Sequence, residues 1–134
     1  MTGVQTCALP ILGFSAKDRA ENVRRVSEVA RILLDAGLIV LVALVSPFEV
    51  DRQRAKEMFP DSDFHLVWVN TPVEICVSRD TKGLYKKAAA GQIQNLTGMG
   101  QNYEPPSSAD LIISGDENLE ENVEKILNLI GIQL

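Results

Sequence analysis

Eight consecutive apolar residues at 38–45, LIVLVALV, constrain this chain more than any other stretch. The run is rich in β-branched residues and has no polar alternation, so it suits a strand covered on both faces, inside a parallel sheet flanked by helices. It is far shorter than the about 18 residues that mark a membrane span. It therefore predicts a buried strand, closed by Ser46-Pro47.

The segments around it alternate between helix and strand signals. Ser15 followed by Asp18 marks a helix start, and Val23, Val26, Ala30, Leu33 and Leu34 recur at helical spacing, predicting a helix over 16–36 that Gly37 stops. Residues 48–58 (FEVDRQRAKEM) predict a short helix with its basic side in solvent, and 64–69 (FHLVWV) a second interior strand. Thr71-Pro72-Val73-Glu74 combines an N-cap, a proline at the first helical position and a capping-box carboxylate, so a helix runs from there to about Arg79.

The stretch 80–106 is polar and punctuated by Gly83, Gly91, Gly98, Gly100, Pro105 and Pro106, which predicts a mobile lid containing one helix at 84–90. Residues 111–113 read as a last strand. Asn118 caps a final helix whose Leu119, Val123, Ile126, Leu127 and Ile130 form one apolar stripe. The alternation predicts an α/β fold, three layers with a parallel sheet, in one domain of 134 residues.

Charge and cysteine usage narrow the function classes. A net charge of −5 argues against a broad nucleic-acid or membrane surface, which would need clustered cations. Cys7 and Cys76 suggest neither a disulfide framework nor a metal knuckle, so Cys76 reads as a buried thiol in a reducing, cytoplasmic protein. Residues 1–11 (MTGVQTCALPI) lack the features of a signal peptide and show no clear period; they are read as a lead-in of non-native origin, with the domain proper at 12–134.

Three groups of residues could carry chemistry. Arg19 and Asn22 project from one face near the start of the first helix, just after Phe14, a set that suits a nucleotide: the ring on a base, the guanidinium on a phosphate or sulfate oxygen. A solvated Arg-Asn pair explains the same residues. Ser46 stands where a buried parallel strand would end, the place where open α/β sheets bind ligands, although Ser-Pro also simply turns a chain. Arg79, Lys82, Lys86 and Lys87 offer donors to phosphate oxygens around Gly83, against the plainer reading of a basic helix in solvent. His65, the single histidine, reads as a structural or surface residue.

Taken in order, Gly13-Phe14-Ser15, Asp18-Arg19-x-x-Asn22, Ser46-Pro47-Phe48, Asp51-Arg52, Cys76-x-x-Arg79-Asp80, Lys82-Gly83-Leu84-Tyr85-Lys86, Gly91 and Thr97-Gly98 resemble adenylyl-sulfate kinase, also called APS kinase. The resemblance runs from Leu12 to about Pro105. It implies the fold of the P-loop kinases and transfer of the γ-phosphoryl of MgATP to the 3'-hydroxyl of adenosine 5'-phosphosulfate (APS), giving 3'-phosphoadenylyl sulfate in sulfate assimilation.

Carried onto this sequence, the resemblance implies that Phe14 stacks on the substrate adenine, and that Arg19 and Asn22 hold its phosphosulfate and ribose. Ser46 matches the position treated in the family as a phosphoserine intermediate; because in-line transfer relies on positioning and charge stabilisation, a substrate contact from the Val45-Ser46 backbone is the reading preferred here. Lys82, with Leu84 beside it, would reach the substrate, as would Leu96 and Thr97. Arg79 would face the ATP side, and the loop at 114–117 would seat the ATP adenine. Leu96 replaces a phenylalanine usual in the family, Ala89 an arginine and Gly100 an aspartate. A lost aromatic stack weakens substrate affinity by about 0.5–1.5 kcal/mol beyond area. A homodimer or a fusion to sulfate adenylyltransferase is compatible with the resemblance, and these residues decide neither.

The phosphate cradle G-x-x-x-x-G-K-S/T occurs nowhere in the sequence, nor does an aspartate segment to follow it and serve Mg²⁺ and the attacking hydroxyl. In the family both would precede Leu12, and the P-loop strand would lie between the strands corresponding to 38–45 and 64–69. The expectation is a P-loop kinase fold with its N-terminal strand and P-loop unit missing, about 30 residues or more, and an inactive, poorly stable fragment with a gap in its sheet or with those two strands forced together. The alternatives are a non-catalytic, kinase-like binding or regulatory domain, and a related kinase acting on another small nucleotide or alcohol.

Overall fold

The structure is a computed structural model that describes residues 12, 13, 15–93, 96–98 and 100–132. Helix α1 (Ala16–Asp35) begins as its local sequence dictates: the Ser15 hydroxyl accepts from the Asp18 amide at 3.1 Å and donates to the Asp18 carboxylate at 2.6 Å. It ends on Gly37, whose φ of 82° lets the Gly37 and Leu38 amides turn back onto the Leu34 and Leu33 carbonyls. Val23, Ser27 and Ala30 form its buried stripe, and α1 packs on helix α2 (Glu49–Lys56), which contributes the buried Ala55.

A short 3-10 turn (Asp61–Asp63) leads to strand β1 (Val67–Val69), then helices α3 (Val73–Arg79) and α4 (Leu84–Ala89). Two two-residue strands, β2 (Leu96–Thr97) and β3 (Gly100–Gln101), pair in parallel with each other. Strand β4 (Leu111–Ile113) pairs in parallel with β1 in the register Val67–Leu111, Trp68–Ile112, Val69–Ile113. Helix α5 (Leu119–Leu129) packs on β4; its Asn118 cap accepts from the amides of Glu120 and Glu121 at 2.8 and 3.3 Å. The α/β class and the parallel sheet are therefore as the sequence predicts.

The eight-residue run is the main correction. Residues 38–45 form no strand, and Leu41 is 79% exposed and Ile39 67% where burial on both faces was predicted. A strand exists only through partners for its amides and carbonyls, and among the described residues β1 pairs with β4 while no strand pairs with 38–45. The run instead lines one wall of a cleft of about 1670 Å³ whose other wall includes residues 64–70. The two segments are not paired with each other among the described residues.

Smaller corrections share this cause of tertiary context. The second predicted strand shortens to β1, and Thr71 caps nothing in α3, whose first turn has no side-chain cap. The basic side of α2 is not all in solvent: Arg52 is only 4% exposed, while Arg54 lies open. The predicted stripe of α5 is half covered, with Leu119 71% exposed while Ile126, and Ile130 at the helix end, line the cleft. Cys76 is half-buried, not buried, and Cys7 lies outside the described residues. No helix among the described residues is long and apolar enough to cross a membrane.

Candidate functional site

Arg19, Val45, Ser46, Leu96 and Thr97 come together on the lining of the large cleft, from α1, the end of the apolar run and β2. Lys82, Leu84, Asn22 and Arg79 are not on that lining, and Phe14 lies outside the described residues. Asn22 is half-buried, and its side-chain oxygen is buried with no hydrogen-bond partner among the described residues. Buried acceptors are nearly always satisfied, which makes this oxygen an exception among the described residues. Partial burial lowers the Arg19 pKa from its ordinary value, yet a guanidinium remains cationic across the physiological range.

Ser46 sits in a strained turn. Its φ of 33° is unusual for a residue other than glycine, a conformation that costs on the order of 1–3 kcal/mol and persists only where surroundings impose it. Arg52 imposes it: Nη1 donates to the Ser46 carbonyl at 2.6 Å, Nη2 to the Glu104 carbonyl at 2.7 Å, and Nε to Glu49 Oε2 at 3.0 Å. Glu104 completes the frame, its amide donating to the Pro47 carbonyl at 2.9 Å and its carboxylate accepting from the Glu49 amide at 2.7 Å. Pro47 is fully buried within this frame.

Glu49 is gripped from several sides. Hydrogen bonds from Ser107, Gln53 and Arg52 hold its carboxyl down at about 2, and the Arg52 guanidinium also lies over the Tyr103 ring at 5.8 Å. Sequence reasoning noted Asp51-Arg52 only as part of a pattern and assigned Arg52, Glu49 and Glu104 no role. Helical spacing could have paired Glu49 with Arg52, but nothing local signals that Glu104, far along the chain, closes the frame.

At the carboxyl ends of β1 and β4 a second cluster forms. Arg79 Nη1 donates to the Gly115 carbonyl at 2.7 Å, and Ser114 donates to the Asn70 carbonyl at 3.1 Å and also to Asp116. The Ser114 hydroxyl is the first cause that lowers the Asp116 pKa. Arg79 is thus beside the 114–117 loop, the position predicted for the ATP adenine.

Between α3 and α4, Gly83 takes φ 64° to turn the chain into α4, and the Asp80 carboxylate reaches across it to accept from the amides of Tyr85 and Lys86 at 3.2 and 3.0 Å. These bonds, with Lys86 first, lower the Asp80 pKa. Lys82, Lys86 and Lys87 are exposed, Leu84 is half-buried, and His65 is exposed.

A family model described as adenylylsulphate kinase matches residues 4–114. The chain is 44% identical over 120 residues to an adenylyl-sulfate kinase of Acaryochloris marina, covering 89% of this chain and 58% of that protein. It is 48% identical over 121 residues to the adenylyl-sulfate kinase of Shewanella halifaxensis, covering 90% of this chain and 59% of that one. The chain thus spans less than two thirds of the length of these relatives. Among solved structures it is similar to the Mycobacterium tuberculosis APS kinase in complex with AMPPNP and APS, with a TM-score of 0.84 and 42% identity over 89% of this chain and 70% of that one.

Proposed function

Because the chain belongs to the adenylylsulphate kinase family, we propose that it supplies the acceptor side of an adenylyl-sulfate kinase, which moves the γ-phosphoryl of ATP to the 3'-hydroxyl of APS in sulfate assimilation, in the cytoplasm. The observation that carries this reading is the convergence of Arg19, Val45, Ser46, Leu96 and Thr97 on one cleft. Arg19 would hold a phosphosulfate oxygen through a charge-assisted hydrogen bond, and the buried Asn22 oxygen would accept from a ribose hydroxyl. The Val45-Ser46 backbone would position the nucleotide, and Phe14 would stack on its base. Lys82 and Leu84 would approach from the lid, while Arg79 and the 114–117 loop would serve the ATP side.

The donor side is less complete. The Mg²⁺ that accompanies ATP is usually held by one or two protein oxygens together with phosphate oxygens and water, and the described residues contain no cluster of three or more His, Cys, Asp or Glu. The sequence carries no glycine-rich phosphate cradle either. The 134-residue chain is therefore expected to bind APS without phosphorylating it. Titration calorimetry with APS and an assay for the 3'-phosphorylated product in the presence of MgATP test both halves: binding with no product is the expected result, and product formation would overturn it.

The alternative reading is a kinase-like domain retained for binding or regulation. The reading frame upstream of codon 12 separates the two. A P-loop encoded there supports the kinase, and a start codon with no P-loop supports the binding domain.

A further inference from the structure

Resting on the reading of the cleft as an APS site, we propose that Arg52 is its positioning residue, coupling the Val45-Ser46-Pro47 turn to the 103–107 segment at the far end of the lid. The two segments lie more than fifty residues apart in sequence, yet each contributes a carbonyl to the same guanidinium: Ser46 at 2.6 Å and Glu104 at 2.7 Å. Around this fork the contacts close into a ring. Pro47 accepts from the Glu104 amide, the Glu49 amide donates to the Glu104 carboxylate, and Glu49 accepts from Ser107 at 2.7 Å.

The ring borders the cleft directly, because Ser46, Arg52, Tyr103, Pro105 and Pro106 all line it beside Arg19. The donors of Arg52 are used within the chain. They are directed at backbone carbonyls and a carboxylate of the chain, so Arg52 shapes the site. A lysine in its place keeps the charge but, with a single nitrogen, cannot bridge the Ser46 carbonyl, the Glu104 carbonyl and Glu49 in the geometry of the planar fork. The strained Ser46 dihedral supplies a conformation to lose: with its carbonyl released, the turn relaxes and the substrate contact moves with it.

The test compares the wild-type chain with Arg52→Lys, both held at a temperature where circular dichroism shows them folded. APS affinity is measured by titration calorimetry and amide exchange at Glu104 and Glu49 by NMR. The expected result is affinity weaker by about tenfold or more, together with faster exchange at both amides. A variant that melts earlier but, when folded, binds APS as the wild type does would reduce Arg52 to a structural role and overturn the proposal. If the wild-type chain itself binds no APS, the APS reading fails, and the coupling is judged by exchange alone: release of Glu104 supports it and retained protection overturns it. Should Arg52→Lys not fold, Ser107→Ala replaces it, with faster Glu104 exchange as the supporting result and unchanged exchange as the opposing one.

Discussion

The guanidinium of Arg79 donates to the carbonyl of Gly115 at 2.7 Å, and the Gly115 amide donates in turn to the Thr71 hydroxyl at the same distance. One residue after β4 is thereby tied through both its amide and its carbonyl to the segment that follows β1. These ties hold the 114–117 loop over the carboxyl ends of the two paired strands, where α/β sheets seat ligands.

A side chain at Gly115 would break one tie by contact. Its Cβ would lie 2.8 Å from the Thr71 hydroxyl oxygen, so the hydroxyl must rotate away and the hydrogen bond from the Gly115 amide is lost. Gly115→Ala and Thr71→Ala are therefore each expected to destabilise the fold by about 1 kcal/mol, the worth of one such bond. Because both remove the same bond, the double variant should cost about as much as either alone. Urea unfolding of the four proteins measures this, and full additivity would refute it.

Acid should loosen the ring around Arg52. The Glu49 carboxyl is held at about 2 against an ordinary value of 4.5, first by Ser107, then by Gln53 and Arg52. A carboxyl with a depressed folded pKa contributes stability that is present above its unfolded value and is lost as pH falls toward the folded one. The contribution should therefore persist down to about pH 4.5 and fade toward pH 2. A carboxyl NMR titration should place the Glu49 midpoint near 2 in the wild type and higher in Ser107→Ala; equal midpoints would show that the Ser107 bond does not hold the charge.

How far the sequence revealed this fold depends on how local each cause is. Ser15, Gly37 and Asn118 act within one turn of their helices, and all three end or start helices where the sequence indicates. Thr71 carries an equally good local signal, but the Gly115 amide takes its hydroxyl. The apolar run at 38–45 has strand chemistry in every residue, yet a ladder needs a second strand, and no local pattern supplies one. Arg19, Ser46 and Thr97, named by resemblance, share the lining of one cleft, while the Arg52–Glu104 frame depends on a contact between distant segments.

The exposure of the run makes a direct prediction. At 79% exposed, Leu41 can be replaced by Asp with a stability change within about 0.5 kcal/mol, the usual range for open surface sites. A buried strand residue would lose several kcal/mol in the same substitution. An apolar run left open also promotes association between copies, so sedimentation velocity should show larger species for the wild type than for a Leu41→Asp/Val42→Asp variant at equal concentration. A strongly destabilised Leu41→Asp would mean that the run is covered after all.

Asn22 should separate stability from binding. Its buried oxygen has no partner among the described residues, and replacing an unsatisfied polar group by an apolar one of similar shape is neutral or favourable to folding. Asn22→Leu is accordingly expected to raise the melting temperature or leave it unchanged. The same substitution removes an acceptor for an APS hydroxyl, which should weaken APS binding by about 1 kcal/mol or more, a factor of about five upward. Arg19→Ala should weaken binding further, because a charge-assisted bond to the phosphosulfate is worth about 1.5–3 kcal/mol. Thermal melts with and without APS read both quantities on one sample, since a ligand stabilises in proportion to its affinity. An Asn22→Leu chain that gains stability and still binds APS as tightly as the wild type would assign the ribose contact to another residue.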